Sequence, residues 1–348
     1  MKHLLRALTL AAVVGTALAL TGSAFAAFTT PRLTVNAPTA GSVTIGYTQT
    51  KDDDALARLE IFVPTGYTAS LTAAPGTTIG AVTAVAQANA ISADAIVPIT
   101  GTIRVDSASA PTHNEPLDIA CRQGGTADTV WVLVLQLPTG PQEVPVYVSA
   151  VTTAPQSAFA AAKLVLCLPS PYIPQSAGGA ALGAKVISAQ MTVPGVINAP
   201  TTPGPFVWRS IATPWTVGTG TTNVAGTREL QAIVAPSATL TASRVVRGRN
   251  VTIAGRLRRG AAGVNGATVQ LLRGSTVIRT ARTSATGAYA MRLTRLRKGT
   301  YTLRTRSTVP AQDLGAPGCV TAISAAPCLG ATTSGFRALS PVIRFRVR

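Results

Sequence analysis

Apolar and polar residues alternate with a period of two over most of this chain. In residues 57–64, ARLEIFVP, Leu59, Ile61 and Val63 fall on one side and Arg58, Glu60 and Phe62 on the other, before Pro64 and Gly66 break the run. That spacing predicts a strand with one face turned to a core. Thr129–Leu137, TVWVLVLQL, is apolar at nearly every position, which predicts a central strand covered on both faces. Thr139, Gly140 and Pro141 supply turn chemistry before QEVPVYVSAV, so the two segments read as a hairpin. AKLVLCL, AKVISAQMTV and GPFVWRSIATPW are further strand candidates between Pro- and Gly-rich turns. Residues 169–183 are the one place where this part can divide into two subdomains.

The alternation is cleaner in the last third. Val251, Ile253 and Leu257 oppose Thr252, Arg256 and Arg258. Tyr301, Leu303 and Thr305 oppose Thr302, Arg304 and Arg306, and Ile343, Phe345 and Val347 oppose Arg344, Arg346 and Arg348. The expected fold is all-β, with two or three β-sandwich domains. Composition changes this picture little, since 5% aromatic and 12% charged residues favour strands and tight turns over long amphipathic helices.

Residues 1–26 read as a cleaved signal peptide. Lys2 and Arg6 give the positive start, residues 8–20 the apolar stretch, and Ala24, Phe25 and Ala26 the small-x-small cleavage site. No later segment is apolar for long enough to span a membrane, so a secreted or cell-envelope protein is expected.

Charge then divides the chain. Residues 238–348 hold 18 arginines and one lysine against one acid, Asp313, whereas residues 1–237 hold 11 basic and 11 acidic side chains. This step places a domain boundary near Pro236, between an N-terminal sandwich region, 27–235, and a basic, Ig-like sandwich, 238–348. Arg258, Arg259, Arg273, Arg297 and Lys298 lie near predicted turns of the basic domain and are the candidates for contact with anionic polymers of the cell envelope. The alternative is that alternation merely gives each strand a wet arginine face. The two readings differ in geometry, because a binding surface must converge. Sequence-specific nucleic-acid binding is not expected, since aromatic residues do not interleave with the basic ones.

The segments IAGRL, VNGATVQLLRG, TSATGAYAMRL and LRKGTYTLR resemble the carboxypeptidase regulatory, transthyretin-like β-sandwich group. The matching positions are Gly255, Gly266, Ala267, Val269, Leu271, Gly287, Tyr289, Leu293, Gly299, Tyr301 and Leu303. The resemblance implies a non-catalytic module. Some members of this group carry an internal isopeptide bond, but residues 244–306 contain Lys298, Asn250 and Asn265 and no acid to move the protons, which argues against one here.

Four cysteines in an exported chain imply disulfides, and three pairings are possible. Cys121 with Cys167 and Cys319 with Cys328 is preferred, because each bridge then stays within one folding unit. A metal or redox site is disfavoured by the lack of C-x-x-C spacing. Asp52, Asp53 and Asp54 are a candidate calcium site, or equally a turn that keeps an edge polar. No cofactor is expected.

Catalytic signatures are sparse. His113 is the only histidine beyond the leader and lies in APTHNEPLD, a loop-like stretch near Glu115 and Asp118. There is no G-x-S-x-G elbow, H-E-x-x-H helix or P-loop, and GTGTTN reads as a turn. The chain therefore reads as non-enzymatic, with an unrecognised extracellular hydrolase as the least favoured alternative. Trp131 belongs to an apolar strand. Trp208 and Trp215 lie near prolines, where an exposed rim would suit a carbohydrate-binding accessory protein, although packing is the commoner role for large aromatics.

Overall fold

The computed structural model describes residues 28–37, 41–200, 205–235 and 238–348. The expected leader, 1–26, and the boundary residue Pro236 lie outside the described residues. The strands before residue 236 are β1 (Arg32–Asn36), β2 (Ser42–Thr48), β3 (Leu56–Pro64), β4 (Thr68–Ala69), β5 (Thr78–Ala88), β6 (Ile96–Asp106) and β7 (Thr129–Leu137). They continue with β8 (Gly140–Ala150), β9 (Ala160–Cys167), β10 (Ala184–Pro194), β11 (Ile197–Asn198), β12 (Phe206–Pro214) and β13 (Arg228–Val234). Among the described residues the one α-helix is α1, Pro116–Cys121.

The later strands are β14 (Ala238–Leu240), β15 (Ser243–Arg247), β16 (Asn250–Arg259), β17 (Ala262–Gly263), β18 (Thr268–Arg273) and β19 (Thr276–Arg282). After them come β20 (Ala288–Leu293), β21 (Gly299–Val309), β22 (Gln312–Gly315), β23 (Cys328–Thr333), β24 (Phe336–Leu339) and β25 (Ile343–Val347). The fold is all-β, as the alternation predicts.

One 13-stranded sheet runs β1-β2-β10-β5-β6-β7-β8-β9-β3-β12-β13-β23-β22. It folds over so that β1, at one end, returns beside β13 and β23, where Thr332 Oγ1 donates to the Leu33 carbonyl at 2.6 Å. Apolar residues from both layers, among them Leu33, Ile45, Trp131, Leu164 and Trp208, meet in a single core. Strands from either side of residues 169–183 interleave here, with β10 between β2 and β5 and β12 beside β3. Residues 169–183 therefore connect β9 and β10 of one sheet.

Strand β7 is buried on both faces, as its composition predicts. Trp131 and Leu133 face the main core, while Val130 and Val132 pack with Tyr147, Val165 and Cys121 beneath the segment carrying α1. Strand β3 departs from the expectation of one polar face, because all nine of its residues are buried. Arg58 and Glu60 pair there at 2.6 Å, and Arg58 Nε donates to the Cys121 carbonyl at 2.7 Å.

Two five-stranded sheets make the second unit. In one, β16 pairs with β14, β15, β17 and β20; the other runs β19-β18-β21-β24, with β25 also on β21. Their inner faces share a separate core built from Val251, Ile253, Leu257, Leu271, Met291, Leu303 and Phe345. The turn before β20 depends on glycine: Gly287 has φ +74°, and a Cβ there would lie 2.1 Å from the Leu257 carbonyl oxygen.

Residues 312–333 differ from the sequence reading, which leaves them in the basic domain. After β21 the chain crosses to the first sheet, where β23 runs parallel to β13 and β22 forms the far edge, before returning as β24. Buried side chains of β13 hold this excursion. Glu229 Oε2 accepts from the Ile323 amide at 2.9 Å, and Gln231 accepts from the Val320 amide at 2.9 Å and donates to its carbonyl.

Candidate functional site

Outside the basic unit, His113 and the Cys121–Cys167 pair are committed to structure. His113 is 7% exposed, and its Nε2 lies 3.0 Å from the Asp106 carboxylate. Its carbonyl accepts from Arg122, whose guanidinium lies over the Tyr147 ring at 4.9 Å. The Tyr147 hydroxyl donates to Asp118 on α1. Together with the Cys121–Cys167 disulfide, these contacts clamp residues 106–128 against the outer face of β7–β9. Cys319 bonds Cys328 within the excursion, so both preferred pairings are present.

Asp52, Asp53 and Asp54 do not converge. Asp52 is exposed, whereas Asp53 is buried and accepts from the Thr29, Thr30 and Thr50 amides at 2.8, 3.1 and 3.0 Å and from the Thr30 and Thr50 hydroxyls. Burial works to raise the pKa of Asp53, but the Thr30 hydroxyl and the three amides outweigh it and hold this carboxyl below its ordinary value. Such a carboxylate anchors a turn and has no oxygen to spare for calcium. Burial pushes the neighbouring Asp54 upward against the pull of Lys185. Among the described residues, no three His, Cys, Asp or Glu side chains gather as a metal site requires.

The tryptophans are also structural. Trp208 is 0% exposed and meets Tyr67 edge-on at 5.1 Å, which removes it as a sugar platform. Trp215 is half-buried beside the bridge to Thr222, and its indole Nε1 is shielded from water.

The arginines of the second unit do converge, though not as the five turn residues suggested. Arg273 lies over the Tyr301 ring at 5.6 Å, and the Tyr301 hydroxyl donates to the Arg297 carbonyl. These two and Lys298 therefore share one end of the sandwich. Arg258 and Arg259 lie at the other end of β16, beside β14 and β17. Arg259 is turned to structural use: it is half-buried, donates to the Ser334 carbonyl and hydroxyl at 2.9 and 2.8 Å, and covers the Phe336 ring.

The larger collection lies on the outer face of the β19-β18-β21-β24/β25 sheet. Tyr301, Leu303, Thr305 and Ser307 of β21 point inward, so Arg304 and Arg306 point outward. Register carries neighbouring strands to the same face. Arg344 and Arg346 of β25 pair with Thr302 and Thr300, Arg337 of β24 with Thr308, and Arg282 of β19 with Thr268. Six arginines thus stand on one sheet face, interleaved with threonine. Arg306 is half-buried and oriented by Gln270 Oε1, at 3.0 and 2.8 Å, and the other five are exposed. Successive outward positions along a strand are roughly 6.8 Å apart. The opposite outer face carries Arg247, Arg256, Arg258 and Arg292.

No side-chain carboxylate occurs in residues 238–312 or 314–348, and Asp313 pairs with Arg32 of the first sheet at 2.7 Å. The arginine face therefore has no internal counter-charge. The Arg–Thr alternation was the sequence signal for it, but the partnership of β24, β25 and β19 across β18 and β21 is needed to assemble it.

No protein-family model matches this chain, and no curated protein matches it.

Proposed function

We propose that this is a non-enzymatic protein of the cell exterior or envelope, whose second sandwich binds anionic polymers across the β19-β18-β21-β24/β25 face. The observation that carries the reading is the gathering of Arg282, Arg304, Arg306, Arg337, Arg344 and Arg346 on one face of a unit without a carboxylate. Such a surface attracts polyanions over a Debye length and releases their counterions on contact. Threonine hydroxyls between the guanidinium groups add short hydrogen-bond donors to phosphate or carboxylate oxygens.

Two disulfides support an oxidising compartment. Among the described residues no helix is long and apolar enough to cross a membrane. The structural roles of His113 and the Asp52–Asp54 turn support a binding protein over a hydrolase. Gly266 and Gly287 of the transthyretin-like resemblance fall at turns, Gly255 and Gly299 lie in β16 and β21, and Val269, Leu271, Tyr289, Leu293 and Leu303 face the core, which supports reading the second unit as a non-catalytic module of that kind.

The test compares two triple substitutions in the full chain on immobilised polyphosphate, with neutral dextran as control. Arg304→Gln/Arg344→Gln/Arg346→Gln is expected to weaken binding at least tenfold. Arg256→Gln/Arg258→Gln/Arg292→Gln, with the same loss of charge, is expected to weaken it less than threefold. Equal losses contradict a dedicated face, and retention on dextran matching that on polyphosphate contradicts an anionic ligand.

A further inference from the structure

The folded-over first sheet encloses a hollow of about 90 Å³ between its β2-β10-β5 side and its β7-β8-β9-β3 side. Strand register explains the space. Ala189 of β10 stands between Ala84 of β5 and Tyr47 of β2, so two adjacent inward positions carry only methyl groups. Across from them are larger aliphatic side chains, including Leu59, Ile61, Leu133, Val146 and Leu164. This alignment of small residues on one wall leaves room that the opposite wall does not fill.

The lining is chemically uniform. Tyr47 commits its hydroxyl to Gln49 Oε1 at 2.5 Å, and Gln190 is exposed. No charged side chain lines the space. A charged headgroup has no partner inside and stays in water, while hydrocarbon is accepted without leaving a polar group unpaired. Leu135, Leu166, Leu168 and Val186 line the same space and are only half-buried, so an aliphatic path leads from it to solvent. A closed apolar cavity of roughly 150 Å³ takes benzene. The smaller hollow, with its path outward, suits a thin chain better than a ring.

We infer that the first sheet binds the end of a linear alkyl chain in this hollow, with the headgroup of the chain outside. This site is independent of the arginine face and of the function proposed for it.

The experiment uses the full chain and 1-octanol, followed by saturation-transfer NMR and thermal shift, with benzyl alcohol as the ring-shaped comparison. Octanol is expected to bind and raise the melting temperature, and benzyl alcohol to bind at least tenfold more weakly. Ala84→Leu and Ala189→Leu fill the space and are each expected to reduce octanol binding at least tenfold without lowering the melting temperature of the free protein. Should either leucine prevent folding, Ala84→Val takes its place, with a severalfold loss expected. Neutral phosphatidylcholine vesicles identify the source of the chain. Co-sedimentation that disappears in the filled variants assigns a lipid tail, and octanol binding without co-sedimentation assigns a free aliphatic molecule; both support the inference. It is overturned if octanol fails to bind up to its solubility limit, if benzyl alcohol binds as well, or if folded variants with the space filled bind octanol like the wild type.

Discussion

Arg58 and Arg209 stand within strands of the first sheet and are nearly buried, each beside a carboxylate: Glu60 at 2.6 Å and Glu229 at 3.0 Å. Arg304 and Arg344 stand within strands of the second unit, exposed, with no side-chain carboxylate anywhere in that sandwich. The difference follows from desolvation. A guanidinium enters the protein where an opposite charge, as at Arg58 and Arg209, or hydrogen bonds and an aromatic face, as at Arg122, offset its lost hydration. The local partners, carboxylates at Arg58 and Arg209 and neutral groups at Arg122, therefore decide which arginines become structural and which remain available to a ligand. Arg259 marks the intermediate case, half-buried against a carbonyl, a hydroxyl and an aromatic ring.

The largest expected effect breaks the first half of that comparison. Glu229 is 0% exposed and binds Arg209, Gln231 and the Ile323 amide. Glu229→Ala leaves a buried cation uncompensated and should cost about 3–5 kcal/mol in urea unfolding. Protection of the β13–β23 amides from hydrogen exchange should fall with it. Next is removal of the Cys121–Cys167 bridge by paired serine substitutions, which should cost about 2–4 kcal/mol in the same measurement and loosen residues 106–128.

A smaller effect is expected at Asp53. Its folded-state pKa lies below the unfolded value, so its contribution to stability is complete above the unfolded pKa, about 3.9, and is lost as pH falls through the folded value. Asp53→Asn should cost about 1 kcal/mol at neutral pH and flatten the acid limb of the stability profile. The smallest effect sharpens the second half of the comparison. Arg304→Gln and Arg344→Gln should each change stability by less than about 0.5 kcal/mol, because neither guanidinium supports the fold.

Much of this architecture was legible as alternation. Val251, Ile253 and Leu257 are fully buried, and Ile343, Phe345 and Val347 face the same core. Both disulfides follow from keeping each bridge within one folding unit. Strand β3 was legible as a strand but not as a doubly covered one, since burial of Arg58 and Glu60 depends on Lys163 and the Cys121 carbonyl arriving from elsewhere. The excursion of residues 312–333 was hidden for a related reason. Its strands are short, and the parallel pairing of β23 with β13 leaves no turn or hairpin signature in sequence. Turn proximity picked out Arg258, Arg259, Arg273, Arg297 and Lys298, yet the convergent face comes from register between strands, which no local pattern records. Trp208 was legible as a packing residue in preference to a rim, and pairing of β12 with β3 and β13 puts it in the core.

The most direct test of the central claim is site-resolved arginine footprinting of the full chain with phenylglyoxal, with and without polyphosphate, read by mass spectrometry. The account predicts protection at Arg304, Arg337, Arg344 and Arg346, with Arg256, Arg258 and Arg292 modified as in the free protein. Equal protection of the two faces, or none on the first set, would contradict it.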